Sequence, residues 1–256
     1  TPMTAFFTVA ALVSVGLAVI RDTRYAIVGG IAIGIYSFIS FTVAVSSLLI
    51  GIFIVSLVFM GGLSMKRAWW ITVYLLMSVS ALWGGIYAIT EFNIIDCLII
   101  SIENNAADMT QNPFDHGLRY FLRAFGNLLA YTGYLGAVIS VCAVLGAFHA
   151  RKGGVILRAL AISTITSLLI ASFSTLFYLE TERIWVFLTP PMAILAAWGI
   201  FSIVPRRNFP TVATVVVTAA LTASIAQEFF MTHYIPTDEY IDVNEYRYVR
   251  ELLRER

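Results

Sequence analysis

The sequence predicts an all-α polytopic membrane helix bundle with about eight transmembrane helices. Composition points there first: of 256 residues, 59% are hydrophobic and only 12% are charged, where a soluble domain carries about 25% charged residues. Mean hydropathy is +0.86. The apolar residues also fall into runs approaching the roughly 20 residues a helix needs to cross about 30 Å of hydrocarbon. A net charge of +1 leaves no basic excess to hold nucleic acid.

Taken in order, the runs cover residues 4–20, 25–43, 46–63, 68–90, 126–148, 155–178, 184–204 and 211–231. The first lacks the basic leading region of a signal peptide. Because Thr1 is not a Met, the expectation is a processed chain or one piece of a longer protein. Residues 25–65 carry no charge and are too long for one pass, so they are read as two, turning near residues 43–47. The chain then divides into four helices over residues 1–90, an extracytoplasmic loop over 91–125, four helices over 126–231 and a tail over 232–256. In the loop, Ile94, Ile95, Leu98, Ile99 and Ile102 have helical spacing, which predicts a short interfacial helix over 92–102. Asn112-Pro113 reads as a turn. The tail alternates both signs of charge from Glu245 onward, as a surface helix does.

Charge fixes the expected orientation. Eight passes put Arg21, Arg24, Lys66, Arg67, Arg151, Lys152, Arg158, Arg206 and Arg207 on one side, with Asp22 as that side's acid. Glu91, Asp96, Glu103, Asp108, Asp115, Glu180 and Glu182 fall on the other, with Arg119, Arg123 and Arg183. Lys and Arg are enriched in cytoplasmic loops, so the first set is read as inside and both termini as outside. No ionisable side chain lies deep within a predicted span, which disfavours a proton-coupled pump. His116, His149 and His233 sit at or beyond helix ends, a poor arrangement for heme. Cys97 and Cys142 lie in different surroundings, and two such residues make no metal site. Gly30 and Gly34 form a GxxxG, read chiefly as close packing within the chain.

The polar candidates gather on the outer side. In Tyr178-Leu-Glu-Thr-Glu-Arg-Ile-Trp-Val-Phe-Leu-Thr-Pro-Pro191, a short hairpin presents Glu180, Glu182 and Arg183 to the headgroup layer. The planar fork of an Arg can bind two oxygens of a lipid phosphate. A neighbouring carboxylate could orient that Arg, bind a divalent metal or hold a sugar hydroxyl; no other cofactor is implied. Trp185 reads as an interfacial anchor, and Thr189-Pro190-Pro191 as an interruption that could widen a cavity. Arg119 and Arg123, four apart on one helical face, could clamp phosphate or anchor the helix at the interface. His116 and Asp115 could move protons or cap the following helix. The ordinary alternative for the hairpin is a solvated turn.

The run Phe177-Tyr-Leu-Glu-Thr-Glu-Arg-Ile-Trp-Val-Phe-Leu-Thr-Pro190 resembles the later part of multi-pass glycosyltransferases of the GT-C fold. Those proteins often show Gly-Glu-x-x-Arg-hydrophobic-Trp-x-Phe-x-x-Pro there. Asn112-Pro-Phe and Phe125-Gly-Asn-Leu-Leu-Ala-Tyr-Thr-Gly-Tyr-Leu-Gly136 look like that group's polar loop and following helix. The resemblance covers roughly residues 110–200 and implies glycosyl transfer from a polyprenyl-phosphate carrier at the extracytoplasmic face. Glu180, Glu182 and Arg183 match the motif by position. Such proteins usually carry a catalytic acid in the first outer loop, and the turn at 43–47 is bare. The resemblance therefore implies a C-terminal portion of an enzyme. Two other readings stand beside it: a non-catalytic subunit that packs on a partner membrane protein and supplies a lipid groove, and a small-molecule transporter.

Overall fold

A computed structural model describes residues 2–38, 43–97, 99–100, 118–173, 185–205, 208, 210–219 and 222. These are helical, with no strand among the described residues. The helices are α1 (Pro2–Ile20), α2 (Tyr25–Ser37), α3 (Val43–Phe59), α4 (Met65–Thr90), α5 (Leu118–Leu135), α6 (Ala137–His149), α7 (Val155–Phe173), α8 (Thr189–Ile203) and α9 (Pro210–Ala219). Two 3₁₀ turns, Ala150–Lys152 and Trp185–Leu188, follow α6 and precede α8.

A helix or helix pair occupies each predicted span, but most are shorter than expected. Among the described residues, α1, α4 and α7 are long and apolar enough to cross a membrane, four elements if the bent α5–α6 pair counts as one span. Eight full-length spans are therefore too many for the described helices. α2 has 13 residues and α8 has 15, about 20 and 22 Å at 1.5 Å per residue. Apolar composition marked these segments but did not mark where their helices end. The turn placed at 43–47 is also corrected. Val43, Val45 and Ser46 are already buried in the first turns of α3, so the turn does not fall there.

The predicted fifth span is not straight. It breaks at Gly136, where the chain turns by 107° between α5 and α6. Gly136 has φ 86, a region that glycine enters without the steric cost a Cβ imposes. No proline announces the break. The proline pair of α8 acts differently from expectation: it sits in the helix's first turn, where a missing N–H costs nothing. The helix runs on from there after a 3₁₀ turn whose Phe187 and Leu188 are fully buried.

Two apolar cores share α3 and α7. One joins Val15 of α1, Ala26 of α2, Phe53 of α3, Ile71 of α4 and Ala159 of α7. The other joins Leu49 of α3, Tyr131 of α5, Ala143 of α6, Ala161 of α7 and Leu195 of α8. Close approaches use glycine. A Cβ at Gly30 would lie 2.6 Å from the Leu75 carbonyl and 2.7 Å from Ser78 Cβ, and one at Gly34 would lie 2.7 Å from Leu82 Cδ2. The GxxxG thus packs α2 on α4 within the chain, as its main reading expected.

The turns sort to two ends of the bundle. Arg67 at the start of α4 donates from Nη2 to the carbonyls of Ala18 (3.1 Å) and Arg21 (2.7 Å) at the end of α1. Gly62 lies against Val155 at the start of α7. Trp198 in the last turns of α8 donates from Nε1 to the His149 carbonyl at 3.2 Å, and Arg158 donates to the Arg151 carbonyl at 2.9 Å. The turns bearing Arg21, Arg24, Lys66, Arg67, Arg151 and Lys152 therefore share one end, as the charge alternation requires. At the other end, Phe38 after α2 meets Phe92 after α4, with ring centroids 6.0 Å apart. Phe121 and Phe125 of α5 set their edges against Phe173 at the end of α7, at 6.5 and 6.4 Å.

Because two helix-end carbonyls hold Arg67, Arg67→Ala should loosen α1 from α4. A hydrogen bond from a charged donor contributes about 1.5–3 kcal/mol. The expected result is a lower melting temperature in detergent, with Lys66→Ala, which carries no such bond, close to wild type.

Candidate functional site

The sequence places its candidate site at the end of the bundle opposite the basic turns. Glu180, Glu182, Arg183 and His116 lie outside the described residues. Arg119 and Arg123 lie in the first two turns of α5; their backbone is helical, four residues apart, so the two positions share a face. α5 is strongly amphipathic among the described helices, mixing Arg119, Arg123, Asn127 and Thr132 with Phe121, Phe125 and Leu129. The ring contacts to Phe173 bring its beginning to the end of α7. In sequence, the segment carrying Glu180, Glu182 and Arg183 follows that helix and precedes the 3₁₀ turn before α8, outside the described residues. The start of α5, where Arg119 and Arg123 stand, thus lies beside the end of α7.

Several hydroxyls buried in the helices were not singled out in the sequence. On α7, Thr164 and Ser163 donate to the Leu160 carbonyl at 2.7 and 3.0 Å, the usual local solution for a buried hydroxyl. Ser167, Ser172 and Thr189 differ: among the described residues their hydroxyl oxygens are buried and have no hydrogen-bond partner. Ser172 lies one residue from Phe173, at the same end, and Thr189 begins α8. A buried unpaired hydroxyl costs about 1–3 kcal/mol, so such groups mark where a polar ligand group gains most. The signal in sequence was the Ser/Thr content of an otherwise apolar run, which also occurs in helices with no site. Thr8 of α1 shows the satisfied pattern, donating to the Thr4 carbonyl at 2.9 Å and lying 3.3 Å from Ser46 Oγ of α3.

The predicted interfacial helix over 92–102 is helical at residues 94–97 and 99–100. Asn93 starts it: its side-chain oxygen accepts from the Ile95 N–H at 3.0 Å, and its amide donates to Asp96 at 2.7 Å. Ile94 is buried, while Ile95, Ile99 and Ile100 are exposed. Cys97 and Cys142 are both free thiols. No group of His, Cys, Asp and Glu that could hold a metal ion occurs among the described residues.

No protein-family profile, curated protein or solved structure matches this chain.

Proposed function

We propose that the chain is a polytopic membrane protein that works at the end of the bundle opposite its basic turns. The activity proposed is glycosyl transfer from a polyprenyl-phosphate-linked sugar, with this chain forming a C-terminal portion of the enzyme. The observation that carries this reading is the meeting of the start of α5, which bears Arg119 and Arg123, with the end of α7, the helix that the Glu180, Glu182 and Arg183 segment follows in sequence. The motif resemblance around that hairpin and the unpartnered hydroxyls of Ser172 and Thr189 support it. In this reading the basic residues receive the departing lipid phosphate, and the carboxylates orient Arg183 or the sugar. In the same reading, the helical residues around 94–100 rest in the interface.

Saturable binding of a polyprenyl monophosphate to the purified chain tests this, with the corresponding polyprenol as neutral control. Tight binding of the phosphate alone is expected; equal binding of both would overturn it. Topology has its own test in a Cys97→Ser, Cys142→Ser background. A cysteine at position 91 should react with an impermeant maleimide from outside the cell, and one at position 66 should not.

A second reading, a non-catalytic subunit, is favoured by α4. Only 11% of its apolar window is buried, against 44% in α1 and α7. Trp69, Leu76, Met77, Tyr87 and Ile89 are exposed along it. Such a face fits lipid or a partner helix, and co-purification of a second membrane chain dependent on Leu76 and Met77 would select the partner.

A further inference from the structure

At the basic end, a broad, solvent-open depression of about 410 Å³ lies between the turn after α1 and the start of α4. Arg21, Asp22, Thr23, Ser64, Lys66, Arg67 and Trp70 line it. We infer that this cavity binds a phosphate group, as carried by an anionic phospholipid headgroup.

Charge is the first reason. Three cations face one carboxylate, and Asp22 already accepts the Arg24 N–H at 2.9 Å. A depression with this imbalance favours an anion, and guanidinium and ammonium donors together suit phosphate oxygens. Preorganisation is the second. Arg67 is held through Nη2 by the carbonyls of Ala18 and Arg21, which leaves its Nη1 and Nε donors for a ligand. Its side chain is thus already fixed beside the cavity, so binding costs little further entropy. Thr23 and Ser64 add hydroxyls. The third reason selects the source. Trp70 lines the cavity, neighbouring Trp69 is 66% exposed, and Met65 is 76% exposed. Trp is a residue of the membrane–water interface, so this belt puts the cavity at headgroup level, where a lipid phosphate resides and its acyl chains can lie along the exposed face of α4.

The test uses the full chain in neutral detergent, with bound lipid counted by native mass spectrometry. Phosphatidylglycerol should be retained in preference to phosphatidylcholine. Arg21→Gln combined with Lys66→Gln should weaken phosphatidylglycerol binding about tenfold or more, with an unchanged melting temperature in lipid-free detergent. Arg151→Gln with Lys152→Gln removes the same charge from the same end outside the cavity and should preserve the preference. Inorganic phosphate supplies the second arm. Failure to displace phosphatidylglycerol at millimolar concentration supports the lipid source; phosphate binding that depends on Arg21 and Lys66 supports the same site with a soluble ligand. No preference for phosphatidylglycerol, or a preference that survives the Arg21/Lys66 change or is lost equally in the Arg151/Lys152 control, would overturn the assignment.

Discussion

Gly199→Ala should destabilise the bundle by about 3 kcal/mol, the upper part of the range for adding atoms to a packed interior, and Gly146→Ala should do the same. The two glycines lie where α6 and α8 cross. A Cβ on Gly146 would strike the Leu195 carbonyl, and one on Gly199 would strike the Cys142 carbonyl and come within 2.8 Å of the Gly146 nitrogen. These obstacles are backbone atoms, which cannot rotate aside as a side chain does, so relief requires the helices to separate. Separation would strip contacts from Met192, Leu195 and Ala196, which help form the second core. Gly84→Ala is the control. It lies inside α4 with nothing within 4 Å of the added carbon, and should be neutral or slightly stabilising through the helix preference of Ala. Melting curves of the three variants in one detergent check the ordering. Equal stability of all three would mean that α6 and α8 do not cross this closely.

Arg183→Ala should weaken binding of a polyprenyl phosphate by roughly ten- to a hundredfold, the effect of losing a charge-assisted contact of about 1.5–3 kcal/mol. Arg183→Lys should recover part of this, because an ammonium cannot form the two-pronged contact. Glu180→Gln or Glu182→Gln should produce a milder form of the same defect if a carboxylate orients the guanidinium. Arg119→Ala and Arg123→Ala should weaken phosphate binding in the same direction. Full carrier binding in Arg183→Ala would leave the hairpin as an ordinary charged turn, worth little energetically. This measurement is separate from the phosphatidylglycerol experiment, since the two proposed sites share no residue.

The helical character of the chain and the sorting of its turns were legible in the sequence, because each depends on a property residues carry with them. Apolar runs mark helices, and the charges of Arg21, Lys66, Arg67 and Arg151 group their turns, which the structure places at one end. The lengths of the helices were less legible. Residues 43–47 show the difficulty: Val43, Val45 and Ser46 are compatible with a bare turn or a helix, and burial against α1 and its neighbours decides for helix. Gly136 is a similar case. Glycines occur throughout these helices, and nothing local distinguishes the one with φ 86 from Gly84, which sits in a regular helix. The basic-end cavity was invisible because its lining comes from residues 21–23 and 64–70, brought together by the Arg67 bonds to α1. For the hairpin, chemistry is legible in the order Glu-Thr-Glu-Arg, while its arrangement in space lies outside the described residues.

The gathering of basic turns at one end has an electrical consequence. Arg21, Arg24, Lys66, Arg67, Arg151, Lys152 and Arg158, offset by Asp22, concentrate a net of six positive charges there. Carrying an elementary charge through a membrane potential costs about 2.3 kcal/mol per 100 mV. Inverting the molecule against such a field would therefore cost roughly 14 kcal/mol per 100 mV from these groups alone, comparable to the whole folding stability of a typical domain. Were the bundle to span an energised membrane, the voltage itself would favour the orientation with the basic end on the negative side, independently of any bound lipid or partner.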